Sequence, residues 1–415
     1  MCWVSFRYFF TMRERDSWRY WVTGAALGLL GVATLLTAEE YLAWDGVLGV
    51  LGLGLLALLA RARVAAALRY AWRALAVAAA VFVPLAGYPL AVQFLGPARL
   101  PVTGLHPTNT YVVDLLSLVL PTHQVGSPAS QGITGRFTGS PSEFSGYLGI
   151  PVLLVVLAVL LRHWRRTAVR WTALFAGVVT LLALGPRLHV LGDSLPVVLP
   201  WAAFDRLPIM ADALPARAMV YTDLLVAVLV AVFAADLAPI AAAGRRVAAA
   251  GCGALLLVAL LSWAPSAAPT MSLPQPAYFT GGGVRAIPEG RPVLVLPYTS
   301  PGPRWNEPVL WQALAGLRFR MRGGYFLMSN GSARSFTPAL TPLTRELSAI
   351  QDGRASVRSP SRRAWLREDL AGMRLAAIVS GPSPVADAER DFVTWLVGRP
   401  PQRAGGVDVW YDPGR

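Results

Sequence analysis

Three acids stand closest to one another among the residues that could do chemistry. Glu39 and Glu40 are adjacent, and Asp45 follows after a very short gap. The two glutamates end one apolar run and Asp45 opens the next, so all three carboxylates are expected at one external membrane edge. A carboxylate there can accept a proton from a hydroxyl or hold a divalent metal. It can also merely solvate a tight turn, and at the C-terminal end of a helix it opposes the dipole. Glu39 and Glu40 are the candidate catalytic residues, with turn solvation as the plain alternative.

Arg217, in Leu214-Pro-Ala-Arg-Ala218, lies where an external loop re-enters the membrane. Its planar, permanently charged fork suits a phosphate, and a snorkelling contact with lipid headgroups would use the same geometry. Asp223 sits about two turns into the next apolar run. Intramembrane acids are costly and point to function or to a partner on another helix; six residues from Arg217, Asp223 does not share its helix face. Asp236 reads as a border residue at the opposite end of that run. His106, His123 and His189 are spread over two loops without metal-ligand spacing, which leaves His106 as a single candidate substrate contact. Arg217, His106 and Asp223 are the candidate substrate-binding residues, and no metal ligands are assigned.

The usual soluble signatures are missing: the chain has no HExxH, GxSxG, Walker loop or GxGxxG at a strand-to-helix turn. Gly46, Gly49, Gly52 and Gly54 form a row inside an apolar run, where small residues let helices approach closely. The Asn330-Gly-Ser332 sequon carries no argument. Cys2 and Cys252 are isolated, which excludes a disulfide scaffold and any CxxC site.

The elements that must position these residues follow from composition. Of 415 residues, 55% are apolar or aromatic and 14% are charged, whereas soluble globular chains carry about 25% charged residues. All 37 basic residues are arginine, and the formal charge is +14. A transmembrane helix needs about 20 apolar residues. Seven runs qualify: Trp21 to Ala38, Gly46 to Ala60, Ala74 to Leu95, Tyr147 to Leu161, Trp171 to Leu184, Ala218 to Asp236 and Val247 to Trp263. The second, fourth and fifth are short and are open to an earlier start. No small-residue cleavage site follows the first run, so it is not read as a signal peptide.

Arginine positions set the sidedness. Segments on one side (residues 1–20, the stretch around Arg61 to Arg73, that around Arg162 to Arg170, and Arg245 with Arg246) hold fourteen arginines. The alternate segments hold five: Arg99, Arg136, Arg187, Arg206 and Arg217. The positive-inside rule then places the N-terminus in the cytoplasm and everything after the seventh run outside. The remaining eighteen arginines follow Trp263, against eleven acids. The charge is thus divided between topology and an external domain, and nucleic acid is not an expected partner.

Two external loops are long, residues 96–145 and 186–217. In the first, Thr110 to Pro121 is amphipathic and too short to span, so an interfacial or re-entrant position is expected. Val125 to Gly146 reads as a mobile Gly/Ser/Thr-rich loop. The second, with Leu195-Pro-Val-Val-Leu-Pro-Trp201, suits a segment pressed on the membrane with Trp201 at headgroup level. From residue 265 the composition becomes that of a soluble domain. Strands are expected at Val293 to Tyr298, Arg374 to Ser380 and Gly406 to Tyr411. Helices are expected at Glu307 to Leu317, Arg363 to Met373 and Val385 to Leu396. Their alternation predicts a small α/β sheet. The expected fold is therefore an all-α membrane domain of about seven transmembrane helices, residues 21–264, followed by a small extracytoplasmic α/β domain, residues 265–415.

Several segments together resemble a known group: Asp114 to Thr122, Gly146-Tyr-Leu-Gly-Ile-Pro151, Leu184-Gly-Pro-Arg-Leu-His-Val-Leu-Gly192, Leu214-Pro-Ala-Arg217, Trp311-Gln-Ala313 and Arg318-Phe-Arg-Met-Arg-Gly-Gly-Tyr325. In this order they are similar to the C-terminal part of large actinobacterial membrane proteins grouped with GT-C-type glycosyltransferases and their YfhO-like relatives. The resemblance implies transfer of a sugar from a polyprenyl-phosphate donor outside the cell membrane, in cell-envelope glycan synthesis. It implies attack of an acceptor hydroxyl on the anomeric carbon, with a carboxylate as base and Arg217 at the phosphate. Such enzymes carry their catalytic acid in a first external loop that this chain lacks. Thr37-Ala-Glu-Glu40 is then similar to a mid-protein segment, and the catalytic half is expected to precede it. The expected partners are membrane lipids and the lipid-linked donor; no cofactor is evident, and a divalent metal is compatible with the acids. The alternative reading is a non-enzymatic transporter or assembly factor for envelope polymers.

Overall fold

The computed structural model describes residues 17–96, 107–125, 131–207, 210–267, 270, 272–299, 306–324, 328–330, 333–335 and 339–414. They fall into two compact units that divide at residues 268 and 269.

The first unit is helical. Helix α1 (Ser17–Thr37) is separated from α2 (Glu39–Leu95) by one extended residue, Ala38, at φ −166° and ψ 130°. Glu39 and Glu40 therefore begin a helix instead of ending one. Their charge sits at the N-terminal end, where the dipole favours it, which corrects the expected placement. The second helix also starts earlier than Gly46, as its short run had left open. Helical geometry lapses at Ala60 (φ −154°, ψ 50°), and the chain turns back there. The side-chain amide of Gln93 donates to Glu39 across 54 residues, which only a reversal permits. The arginine-bearing stretch after Ala60 is thus helix, continuous with the returning arm.

Helix α1 packs along that returning arm through glycines. A Cβ on Gly24 would stand 2.4 Å from the Ala74 carbonyl oxygen, and one on Gly28 2.7 Å from that of Ala78. This is the close approach that small residues permit. The row expected to do it, Gly46 to Gly54, does so only at Gly52. There Trp171 Nε1 donates to the Gly52 carbonyl at 2.9 Å and Phe175 closes the space, while Gly46, Gly49 and Gly54 face nothing within 4 Å.

Helices α3 (Ile150–His163), α4 (Thr167–Ala183), α5 (Met219–Ala242) and α6 (Arg246–Ser262) complete the unit. Val152, Val155, Val159, Val179, Leu229 and Phe233 meet Trp44 and Leu48 of α2 in one core. Among the described residues, four segments are long and apolar enough to cross a membrane: Trp18–Thr37, Glu39–Ala62, Ala71–Leu95 and Pro215–Ala242. The shorter apolar helices α3, α4 and α6 coincide with the remaining runs; at 1.5 Å per residue they reach about 21 to 26 Å.

The loops between them are folded. Val112, Val113, Asp114 and Ser117 are buried, and Val113 N–H donates to the Ala183 carbonyl at 3.0 Å. The Thr110 to Pro121 stretch thus packs on the end of α4 instead of lying alone at an interface. Of the segment read as mobile, residues 126–130 lie outside the described residues. Residues 131–146 form short turns with Phe137 and Phe144 in edge contact at 5.8 Å. The second loop contains a hairpin the sequence reading missed, β1 (Arg187–Val190) and β2 (Asp193–Val198). Its two-residue connection, Leu191 and Gly192, has positive φ at both positions (55° and 86°), as primed hairpin turns require. Trp201 is not a headgroup residue: it is buried, stacked on Trp44 with ring centroids 4.8 Å apart.

The second unit holds a five-stranded sheet in the order β4-β3-β7-β9-β8. Strands β3 (Pro292–Leu296), β4 (Arg320–Arg322) and β7 (Ala377–Ser380) are parallel, and β9 (Val407–Tyr411) and β8 (Gln402–Ala404) continue it antiparallel. Helices α7 (Glu307–Leu314), α8 (Pro342–Gln351), α9 (Pro360–Gly372) and α10 (Ala386–Val397) accompany it. A separate small hairpin pairs β5 (Met328–Asn330) with β6 (Ala333–Ser335). Strands β3 and β7 are buried and almost wholly apolar, Ser380 being the exception, because both of their faces are covered, as parallel strands require.

Glu389 of α10 is fully buried. Its Oε1 accepts from Gln351 Nε2 at 3.0 Å, while its Oε2 and Gln351 Oε1 have no partner among the described residues. A proton on Oε2 supplies the donor that both oxygens lack. Burial accordingly pushes the Glu389 carboxyl up from 4.5 to about 7. A native pKa above the unfolded one means that the folded state binds more protons between the two values. Stability is then greatest below pH 4.5 and is lost as pH rises through 7, by on the order of 3 kcal/mol. Hydrogen exchange of α10 should quicken between pH 5 and pH 8 beyond the intrinsic chemical increase. In Glu389→Gln that excess should vanish; if it persists, the assignment to Glu389 fails.

Candidate functional site

The most highly connected polar site in the first unit centres on Arg217. The residue sits in a single 3-10 turn, Pro215–Ala218, that leads into α5. Pro215 fixes the entry to the turn, while Ala216 N–H donates to the Tyr111 carbonyl at 3.1 Å and Ser145 Oγ donates to the Ala216 carbonyl at 3.0 Å. The guanidinium is thereby delivered between two carboxylates. Nη1 donates to Glu40 Oε2 at 2.7 Å. Nε and Nη2 meet Glu143 Oε2 and Oε1 at 3.1 and 2.7 Å, a fork-on-fork pair. Glu40 is further held by the Leu214 amide, which donates to its Oε1 at 2.8 Å. Side-chain exposures of 14% for Glu40, 20% for Glu143 and 33% for Arg217 keep the cluster largely away from bulk water.

The cluster carries a formal charge of −1. Three of the five guanidinium N–H groups are engaged; the other two, one on each terminal nitrogen, have no partner among the described residues. A carboxylate and a phosphate compete for the same fork. Glu143, which takes two of the fork's donors, stands on a turn, Pro141–Glu143, that belongs to the long loop.

The three acids expected together are parted. Glu39 turns to Gln93, Glu40 to Arg217, and Asp45 receives the Tyr221 hydroxyl at 2.9 Å. Among the described residues, no group of three or more His, Cys, Asp or Glu side chains is placed to hold a metal ion. Asp223 lies one turn beyond Met219 on α5, and its buried Oδ1 has no hydrogen-bond partner among the described residues. The expected partner on another helix is absent there; the polar contact between α4 and α5 is made next door, by Thr180 and Thr222 at 3.2 Å. Asp236 pairs with His163 at 2.7 Å and Arg162 at 3.1 Å, so it is bonded as well as terminal. His106 lies outside the described residues.

His189 is buried and fully engaged, with Asn109 Nδ2 2.6 Å from Nε2 and Thr138 Oγ1 3.2 Å from Nδ1. Burial holds its imidazole below the ordinary value, against an upward pull from Asp114. It fastens the β1–β2 hairpin to the first loop. Asp114 does the same, accepting from Gly192 N–H at 2.8 Å and Leu116 N–H at 3.0 Å. Glu143 went unnoticed in the sequence, although a signal existed. The loop of residues 96–145 carries only two acids, Asp114 and Glu143, so an arginine at the membrane edge had few counter-charges available.

Comparison of the chain with protein-family models, curated proteins and solved structures finds no match. The reading of the site rests on its geometry.

Removing Arg217 leaves two carboxylates close together without their cation, a loss on the order of 3 to 5 kcal/mol. Arg217→Ala should unfasten residues 131–146 from the helices, seen as faster hydrogen exchange and proteolysis there. Arg217→Lys, which keeps the charge but not the fork, should give a smaller effect of the same kind. Wild-type protection in Arg217→Ala would show that the cluster does not hold the loop.

Proposed function

We propose that this chain is a multi-pass cell-membrane protein that handles a polyprenyl-phosphate-linked sugar at its outer face, as a transferase of the GT-C kind. The observation that carries the reading is the Arg217 fork closed by Glu143. In this proposal the donor's phosphate displaces Glu143 from the fork, and Glu40 keeps the guanidinium aimed. Glu143, released from its charge partner, is free to act as the base. In place of the first-loop acid that the resemblance implies, it takes the proton of the acceptor hydroxyl as that oxygen bonds to the anomeric carbon. The bond from that carbon to the phosphate oxygen breaks, and its electron pair leaves with the polyprenyl phosphate beside Arg217. Glu40 was the expected base, but it is tethered to both Arg217 and the Leu214 amide, which suits it to positioning. Glu39 is turned away to Gln93.

The same proposal has seven helices crossing the membrane, the short α3, α4 and α6 included, with the N-terminus inside and residues 265–415 outside. The arginine distribution supports that sidedness. In a second reading the cluster is only a pin that fastens the loop, within a transporter or assembly factor for envelope polymers. The engagement of each acid favours it.

Membranes carrying the chain should transfer radiolabelled sugar from a polyprenyl-phosphate donor to an endogenous acceptor. Glu143→Gln should lower turnover by about 100-fold or more while the protein stays folded. Transfer unaffected by Glu143→Gln would remove Glu143 from the chemistry. No transfer from any such donor would favour the second reading.

A further inference from the structure

Helices α3, α5 and α6 enclose a cavity of about 200 Å³ at the end of α5 opposite Arg217. Its lining is of two kinds: Ala158, Phe233, Leu237 and Cys252 are apolar, whereas Arg162, Asp236 and Arg245 are charged. Asp236 Oδ2 is shared between His163 Nε2 and Arg162 Nε, which turns Arg162 toward the cavity by its inner nitrogen. The terminal nitrogens of Arg162 have no partner among the described residues, and Arg245 has no ion pair there. Ala248, in the first turn of α6, also lines the cavity, so amides with a partial positive charge adjoin it.

We propose that this cavity binds the phosphate headgroup of an anionic phospholipid, with an acyl chain along its apolar wall. Charge complementarity selects the ligand. Two arginines and one carboxylate line the cavity, and that carboxylate is already engaged, so the lining keeps a net positive charge for one phosphate diester. Arginine's flat fork recognises phosphate oxygens through paired donors. Basic pockets between transmembrane helices are sites of this kind for acidic headgroups. A zwitterionic lipid would bring its own ammonium group against Arg162 and Arg245 and should be disfavoured. The site rests on the proposed seven-helix membrane arrangement but not on the Arg217 cluster, so the lipid site and the transferase chemistry stand or fall separately.

Cys252 lines the cavity and is partly exposed, which makes it a reporter. The full chain, with Cys2→Ser to silence the other thiol, is reconstituted into nanodiscs of phosphatidylcholine alone or with one-fifth phosphatidylglycerol. Alkylation of Cys252 by a small maleimide should slow about fivefold or more with phosphatidylglycerol, and free glycerol phosphate should not reproduce the effect. In Arg162→Ala/Arg245→Ala the slowing should disappear, while the control Arg61→Ala/Arg73→Ala should keep it. A Cys252 rate independent of headgroup charge overturns the proposal. So does equal slowing in the Arg162→Ala/Arg245→Ala variant, or equal protection by free glycerol phosphate.

Discussion

One guanidinium between two carboxylates organises one end of the helical unit. Arg217 joins three stretches far apart in sequence: the first turn of α2 through Glu40, the long loop through Glu143, and the entry to α5 through its own backbone. Each member is partly withdrawn from water, so none can lose its partner cheaply. The fork on Glu143 fixes orientation as well as distance. Because the cluster holds one more negative charge than positive, it tolerates an incoming phosphate only if a carboxylate leaves. Glu143 stands on a loop, whereas Glu40 is tied into a helix and to the Leu214 amide.

The helices are arranged to make that meeting possible. The break at Ala38 brings Glu40 to the start of a helix, where its charge is favoured. The turn at Ala60 returns the chain to the same end, where Gln93 occupies Glu39 and keeps it from Arg217. Trp44, one turn past Glu40, stacks on Trp201 and seats the second loop against α2. Tyr221 and Asp45 extend the contact between α5 and α2 by another turn. The Arg217 cluster is thus the end of a polar seam between these two helices.

Much of this was legible beforehand, and the failures share a cause. Apolar runs locate helices because burial in lipid or protein demands them, and every expected run became a helix. Strands β3, β7 and β9 were readable for the same reason, each a short apolar run between turn residues. Sequence also marked Glu40 and Arg217 separately, since charge at a membrane edge is conspicuous. Their pairing was not readable, because they stand 177 positions apart and only the folded loop brings Glu143 to the same point. Glu39 and Glu40 were assigned to the wrong helix end because the break is a single alanine with no glycine or proline to announce it. The glycine row misled because spacing shows that helices can approach, not which face has a neighbour. Gly24 and Gly28 have one; Gly46 and Gly49 do not.

The central claim is that Glu143 occupies the place of a phosphate on Arg217. The direct measurement is the affinity of the purified chain for polyprenyl phosphate, without a sugar, in wild type and in Glu143→Gln. If the carboxylate competes for the fork, its neutralisation removes the competitor, and Glu143→Gln binds about tenfold more tightly, a change of about 1.4 kcal/mol. Equal or weaker binding by Glu143→Gln would contradict the account and leave the cluster as a pin.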